Sequence, residues 1–228
     1  MSTLTELEVE VASEIGSINA TDDQTAIRRE LNRGVRRILR QPPYVYLTSQ
    51  TVTPGANADY TIATSILLIT DLYVTAGSVD YPLEKTSLAD IIRLRQASAS
   101  SAGPARYYAQ VGSNKLAFYP TPAAADTMTV YYVPVPTAMS TSSHDPSDAT
   151  YGGIPVDYHD LIARYAMARL ASFDDDASSA QGSRYWEEFN SGLAQMRREL
   201  NRHGGRRLPR ARLSNRRIFP SDPSIVIR

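Results

Sequence analysis

Apolar residues recur at steps of three and four near both ends of the chain and at steps of two through its middle. Over residues 3–18, Leu4, Leu7, Val11, Ile15 and Ile18 follow the period of an amphipathic helix, and Gly16 and Asn19 weaken its end. Thr21-Asp22-Asp23-Gln24 supplies a helix start, with a hydroxyl cap and acids in the first turn. The helix that follows carries Ile27, Leu31, Val35 and Ile38 on one face, with Arg29, Arg33, Arg36, Arg37 and Arg40 largely outside it. Gln41-Pro42-Pro43 ends it, because proline disfavours the helical conformation in the residue before it.

From Tyr44 the period changes. Runs rich in valine, tyrosine, threonine and isoleucine occupy Tyr44–Val52, Asp59–Ala63, Ser65–Thr75, Arg106–Val111, Lys115–Tyr119 and Thr127–Val133. Pro54-Gly55-Ala56-Asn57, Gly77-Ser78, Gly112-Ser113-Asn114 and Pro120-Thr121-Pro122 separate them with turn chemistry, which predicts an antiparallel sheet or small barrel. A helical segment, Ser87 to Gln96, interrupts these strands, and residues 137–153 are a loop by composition. Helical period returns at Pro155 with Tyr158, Leu161, Ile162, Tyr165 and Arg169. After a polar break at Asp174–Gly182 comes a last helix over about Ser183–Arg202, with Trp186, Phe189, Leu193, Met196 and Leu200 on one face. Neither helical pair can bury its stripe alone, so the two ends of the chain should pack together.

The expectation is an α+β fold: a four-helix core from both ends of the chain, with an inserted antiparallel β-domain and an extended C-terminal arm. Residues 1–42 and 154–203 would form the core. Residues 43–136 would form the insert, with its short helix at about 87–96, 137–153 a loop, and 204–228 the arm.

Composition sharpens this at the C-terminus. The 228 residues carry zero formal net charge, yet residues 204–228 hold seven arginines against one acid, a charge of +6, leaving −6 on the body. That segment has three prolines, no helical period and few apolar residues before Ile225-Val226-Ile227, so it cannot build a core of its own. Arg206, Arg207, Arg210, Arg212, Arg216 and Arg217, with the β-prone Ile225, Val226 and Ile227, suit an arm that docks on another subunit, by strand addition or in an acidic groove. Lys85 and Lys115 are the only lysines, a bias that fits bidentate contacts to carboxylate or phosphate and equally a GC-rich genome. There is no cysteine, which excludes thiolate metal sites, disulfides and cysteine nucleophiles. The longest apolar run, Ile66–Ile69, is far too short to cross a membrane, and the polar start lacks the form of a signal peptide, so a soluble protein is expected.

Little in the chain points to catalysis. His144, His159 and His203 lie apart, with no H-E-x-x-H pair, and an isolated histidine such as His159 is more simply a polar contact on a helix. Asp174-Asp175-Asp176 lacks the alternating ligands and distal glutamate of a calcium loop, and Glu187-Glu188 diverge on a helix. No nucleotide-binding or serine-nucleophile motif occurs. No catalytic, metal-binding or cofactor-binding residues are therefore assigned. Gly152-Gly153 read as loop hinges. Tyr107-Tyr108 and Tyr131-Tyr132, beside Arg106, could stack single-stranded nucleic acid. Because adjacent strand residues face opposite ways, each pair more simply gives one core and one exposed tyrosine. With Tyr119, these tyrosines are candidates for intersubunit or tail-facing contact.

One series has a characteristic order: Gly103-Pro104-Ala105-Arg106-Tyr107-Tyr108, then Lys115-Leu116-Ala117-Phe118-Tyr119-Pro120-Thr121-Pro122, Met128-Thr129-Val130-Tyr131-Tyr132, and Ile154-Pro155-Val156-Asp157-Tyr158-His159-Asp160-Leu161-Ile162. It resembles the head-to-tail adaptor or connector proteins of tailed bacteriophages, on the branch of the tail-tubular adaptors. The resemblance implies a non-enzymatic virion protein of the neck, assembled in the host cytoplasm as a homo-oligomeric ring of (typically) twelve copies. Its arm would dock on the portal protein, its other face would meet a tail or nozzle protein, and genomic DNA would pass through the channel. Arginine and acid faces could pair neighbours in such a ring. Three other readings stand beside this one, the first being another phage neck or tail-tube structural protein. A DNA-binding protein would use the arginine tail and the arginines of the second helix, and a phage hydrolase would need a pocket where His144 or His159 meets an acid.

Overall fold

The computed structural model describes residues 2–15, 21–62, 65–97, 103–171 and 179–203. The fold is α+β, as the patterning predicts, with five helices and eight strands among those residues. Helices α1 (Leu4–Ile15) and α2 (Thr21–Leu39) precede strands β1 (Thr48–Val52), β2 (Asp59–Thr61), β3 (Ile66–Ala76), β4 (Val79–Pro82) and β5 (Glu84–Lys85). Helix α3 (Leu88–Ala97), strands β6 (Tyr107–Val111), β7 (Lys115–Tyr119) and β8 (Thr127–Pro134), a 3-10 turn at Val156–Tyr158, and helices α4 (His159–Ala171) and α5 (Ser179–His203) complete it.

The apolar stripes of α1, α2, α4 and α5 meet in one core. Leu4, Leu7, Val11, Leu31, Val35, Ile38, Ile162, Met167, Phe189 and Met196 are all fully or almost fully buried in it. Helix α4 is the central element: small Ala163, Ala166 and Ala168 let its neighbours approach, and α1, α2 and α5 all pack on it. Two glycines let neighbouring helices come close to α4. A Cβ at Gly34 of α2 would lie 3.2 Å from the Ile162 carbonyl, and one at Gly192 of α5 would lie 2.3 Å from Leu161. The start of α1 is a capping box, in which the Thr3 N–H donates to Glu6 (2.9 Å) and the Glu6 N–H to the Thr3 hydroxyl (3.5 Å). Helix α5 begins at Ser179, earlier than the break expected through Gly182. The acidic run at 174–176 lies outside the described residues.

The middle of the chain forms two four-stranded sheets packed face to face, in the orders β1-β8-β3-β4 and β2-β7-β6-β5. One pairing departs from the antiparallel expectation: β5 runs parallel to β6, with Glu84 opposite Tyr107. The four-residue β4 and the two-residue β5 are too short and too exposed to stand out in the sequence pattern. Val52, Ile69, Leu72, Val74, Met128 and Val130 from one sheet meet Ile62, Leu116 and Phe118 from the other. Helix α3 covers the outer side of the second sheet, where Ile91 packs on Ala109 and Ala117.

Strand β3 serves both cores. Register shifts between Ile66 and Leu68 and between Ile69 and Asp71 interrupt the two-residue alternation. Leu67 and Leu68 therefore reach the helical core, while Ile66, Ile69, Leu72 and Val74 fill the space between the sheets. On β8, Val133 joins the helical core and Tyr132 the inter-sheet core.

Candidate functional site

The described surface offers three regions that could meet a partner: the outer face of α2, a groove beside α4 and the outer face of the first sheet. The α2 face follows from its stripe. Burial of Leu31, Val35 and Ile38 turns Arg29, Arg33, Arg36, Arg37 and Arg40 outward. Arg33 and Arg29 reach back to Glu30, at 2.7 and 3.2 Å. Glu30 is wholly buried, and Arg169 of α4 approaches its other oxygen at 3.6 Å. This cluster fixes α2 against α4. Arg36, Arg37 and Arg40 have no ion-pair partner among the described residues.

The groove lies between the start of α4 and the middle of α5. Its two lobes, about 470 and 330 Å³, share Asp160, Leu161 and Gly192. Glu187, Glu188 and Arg164 line one lobe, and Asp157, Tyr158 and Glu199 the other. Arg164 pairs with Glu188 at 3.2 Å, and the Tyr158 hydroxyl donates to Glu199 at 3.0 Å. Beside it, on α1, burial pushes the Glu10 carboxyl above its usual range; Arg164 opposes this, while Asp160 and Glu14 add to it. Negative charge is therefore in surplus here.

The outer face of the first sheet is rich in hydroxyls. Thr51 pairs with Thr129 through their hydroxyls at 3.2 Å, and Thr75 donates to Asp80 at 2.6 Å. Tyr73 and Tyr131 meet edge to face with centroids 6.1 Å apart.

The five tyrosines expected at intersubunit or tail-facing contacts divide. Tyr131 is 37% exposed and available to a partner. Tyr107 and Tyr119 sit opposite each other on the side of the second sheet that α3 covers, and both are half-buried. Tyr108 and Tyr132 are 4% and 5% exposed, inside the inter-sheet core. The assignment of these two to a contact surface is thus corrected: their alternation places them inward, where no partner reaches. The partial burial of Tyr107 likewise departs from the expected split into one core and one exposed residue, because α3 covers the face that a bare sheet would leave open. Arg206, Arg207, Arg210, Arg212, Arg216, Arg217, Ile225, Val226 and Ile227 lie outside the described residues.

His144 and His159 have structural roles. His159 is 1% exposed and its Nε2 lies 2.9 Å from the Ile154 carbonyl, which makes that nitrogen the protonated one. It does come within 3.9 Å of Asp145, but that carboxylate already accepts from the Ser147 N–H and hydroxyl, and no substrate reaches the buried ring. His144 stacks on Tyr151 at 4.1 Å and accepts from the Ser140 N–H. Its carbonyl accepts from the Leu4 N–H, tying the 137–153 loop to the start of α1. Asn32 clamps the same loop to α2 by two hydrogen bonds with the Met139 backbone, at 2.7 and 3.0 Å. Gly152 and Gly153 are positions of close packing, not hinges. Both have positive φ, and a Cβ would fall 2.9 Å from Val35 and 2.8 Å from Tyr46.

Several of these partners have no signature in the sequence. Glu8, Glu30 and Asn32 look like ordinary surface residues of amphipathic helices, and only their position one residue inside the apolar stripe hints at burial. Arg95 of α3 is another. Its guanidinium donates to the carbonyls of Ala58 and Phe118 and to Asp59, at 2.7, 3.0 and 2.9 Å, tying α3 to β2 and β7. That bond with Arg95 holds the Asp59 carboxyl below its usual range against partial burial, with Lys115 assisting.

No group of three or more histidines and carboxylates among the described residues could hold a metal ion, and no helix there is long and apolar enough to cross a membrane. A helical core that carries a two-sheet insert with charged and hydroxyl-rich faces has the character of an assembly protein. The chain belongs to the SU10 adaptor protein family, whose pattern it matches over residues 2–214. It is thus a phage head-to-tail adaptor, a structural component of the virion. Comparison with curated proteins gives no match.

Proposed function

We propose that this adaptor is a non-enzymatic ring subunit that joins the portal to the tail and surrounds the path of the DNA. The family match over almost the whole chain carries the reading. The physical arrangement is consistent with it. A closed ring needs two different lateral surfaces on each subunit, and the helical core offers an arginine face and an acidic groove. The arginine-rich segment 204–228 follows α5 directly and is suited to the portal, as an arm that orders on its target and sets the order of assembly. The β-region, with Tyr131 on its open face, is suited to the next tail component. A copy number of twelve is what the resemblance to portal-bound adaptors implies. We further propose 1–42 and 154–203 as one folding unit and 43–136 as its insert, consistent with the separate cores on either side of β3 and β8.

The test is to mix purified full-length protein with portal rings of its phage and follow association by sedimentation and negative-stain imaging, with and without residues 204–228. A ring on one face of the portal that depends on the arm supports the reading. Undiminished docking after removal of the arm would refute the arm's role, and failure of the full chain to dock would refute the adaptor ring. The unpaired Arg36, Arg37 and Arg40 favour a second reading, in which the protein grips DNA. It requires that the free monomer bind duplex DNA with an affinity that falls steeply with salt.

A further inference from the structure

The arginine face of α2 and the acidic groove lie on opposite sides of the central helix. On α4, Ile162 meets α2, where the Gly34 Cβ position lies 3.4 Å from Ile162 Cγ2, whereas Arg164 turns to Glu188 of α5 and opens into the groove. At 3.6 residues per turn, positions two apart on a helix point about 200° from one another. Arg36, Arg37 and Arg40 point away from α4 on its α2 side, because the neighbouring Val35, Ile38 and Leu39 are buried in the core. The stripe of one copy therefore cannot reach its own groove.

We propose that Arg36, Arg37 and Arg40 of one copy seat in the α4–α5 groove of a second copy, against Asp157, Asp160 and Glu187. The inference rests on the ring reading above and names the lateral contact that would build the ring. Charge complementarity carries it. The three arginines are exposed and unpaired among the described residues, and so are the three acids, whose only basic neighbour lining the groove is Arg164, already held by Glu188. Both surfaces belong to the helical core, where Arg197 of α5 donates to Gln41, two residues past the end of α2. A surface on one side meeting a different surface on the other makes a head-to-tail contact, the kind that closes into a ring when the rotation allows. Guanidinium forks match carboxylates bidentately, which gives register as well as attraction.

Charge reversal in trans tests this with the full chain. The first variant carries Arg36→Glu, Arg37→Glu and Arg40→Glu, and the second Asp157→Arg, Asp160→Arg and Glu187→Arg. Each alone presents like charges at every contact and should lose closed rings, both free and on portal rings, in native mass spectrometry. An equimolar mixture presents opposite charges at every contact and should recover rings with the two variants in equal number. The milder pair Arg37→Glu and Glu187→Arg gives the same readout if a triple variant does not fold. Wild-type rings should also loosen as salt is raised. Rings that survive either reversal, or a mixture of folded variants that stays dissociated, would overturn this interface and leave the ring reading standing. A wild-type chain that forms no ring, free or on the portal, would overturn both. Normal rings in the first variant together with lost DNA binding would instead assign the stripe to nucleic acid.

Discussion

The helical core and the two-sheet insert hold together by different means. The helical core buries polar groups and gives each a directional partner: Glu8 accepts from Gln24 and Arg28, Glu30 faces three arginines, and His159 bonds the Ile154 carbonyl. Among the described residues, the buried polar side chain elsewhere is Asp126, which closes its own turn by accepting from the Ala123 N–H. The inter-sheet core itself is made of apolar and aromatic residues. Burial of apolar area is not directional, so the insert relies on backbone ladders for register, whereas helices without ladders between them rely on directional side-chain contacts. The faces that a ring would use for lateral contact lie on the part whose geometry is fixed in this second way.

The largest effect should come from the insert. Phe118→Ala empties the centre of the inter-sheet core and should cost about 3–5 kcal/mol in denaturant unfolding. Amide exchange should quicken first in β6–β8 and leave α4 protected; equal loss in α4 would mean that the two cores open as one. Gly152→Ala tests the seat of the loop on α2 and should cost about 2–3 kcal/mol, since its φ of +141° is nearly closed to other residues and Val35 leaves no room. Glu30→Gln keeps the volume but removes the charge from the α2–α4 contact, and a loss of about 1–2 kcal/mol is expected in the same measurement. Gly77→Ala is the control, with a φ of +57° and open space around it, for about 1 kcal/mol.

The smallest effect is a pH dependence at the α3 clamp. Asp59 is ionised more readily in the folded state than in the unfolded chain, because Arg95 donates to it. Its contribution is present above the unfolded carboxylate value, near pH 4, and is lost as pH falls through the lower folded value. The melting difference between wild type and Asp59→Asn should thus be constant near neutrality and vanish in acid. A difference that persists there would remove Asp59 from the clamp.

How much of this was legible depends on the distance over which each signal acts. The stripes of α1, α2, α4 and α5 and strands such as Lys115–Tyr119 are patterns within a dozen residues, and the chain shows them directly. The parallel pairing of β5 with β6 and the two-faced role of β3 arise from partners far away in sequence, whereas β4 is the short, exposed hairpin partner of β3. Of the expected contact tyrosines, alternation separated inner from outer positions, but only the placement of α3 showed that Tyr107 and Tyr119 are partly covered.

The sequence by itself determined the α+β class, the burial of one helical stripe at each end against the other, the exposure of the α2 arginines and the charge split between body and tail. Those follow from periodicity and composition, because an apolar stripe must leave water wherever its partner comes from. Tertiary structure alone decided that Asp157, Asp160 and Glu187 share one groove on the side of α4 opposite those arginines. It also decided that Arg95, Asn32 and Glu30 act as clamps rather than as solvated surface groups. Such assignments depend on which neighbours the folded chain brings within about 3 Å, the range at which a hydrogen bond forms and on which local pattern is silent.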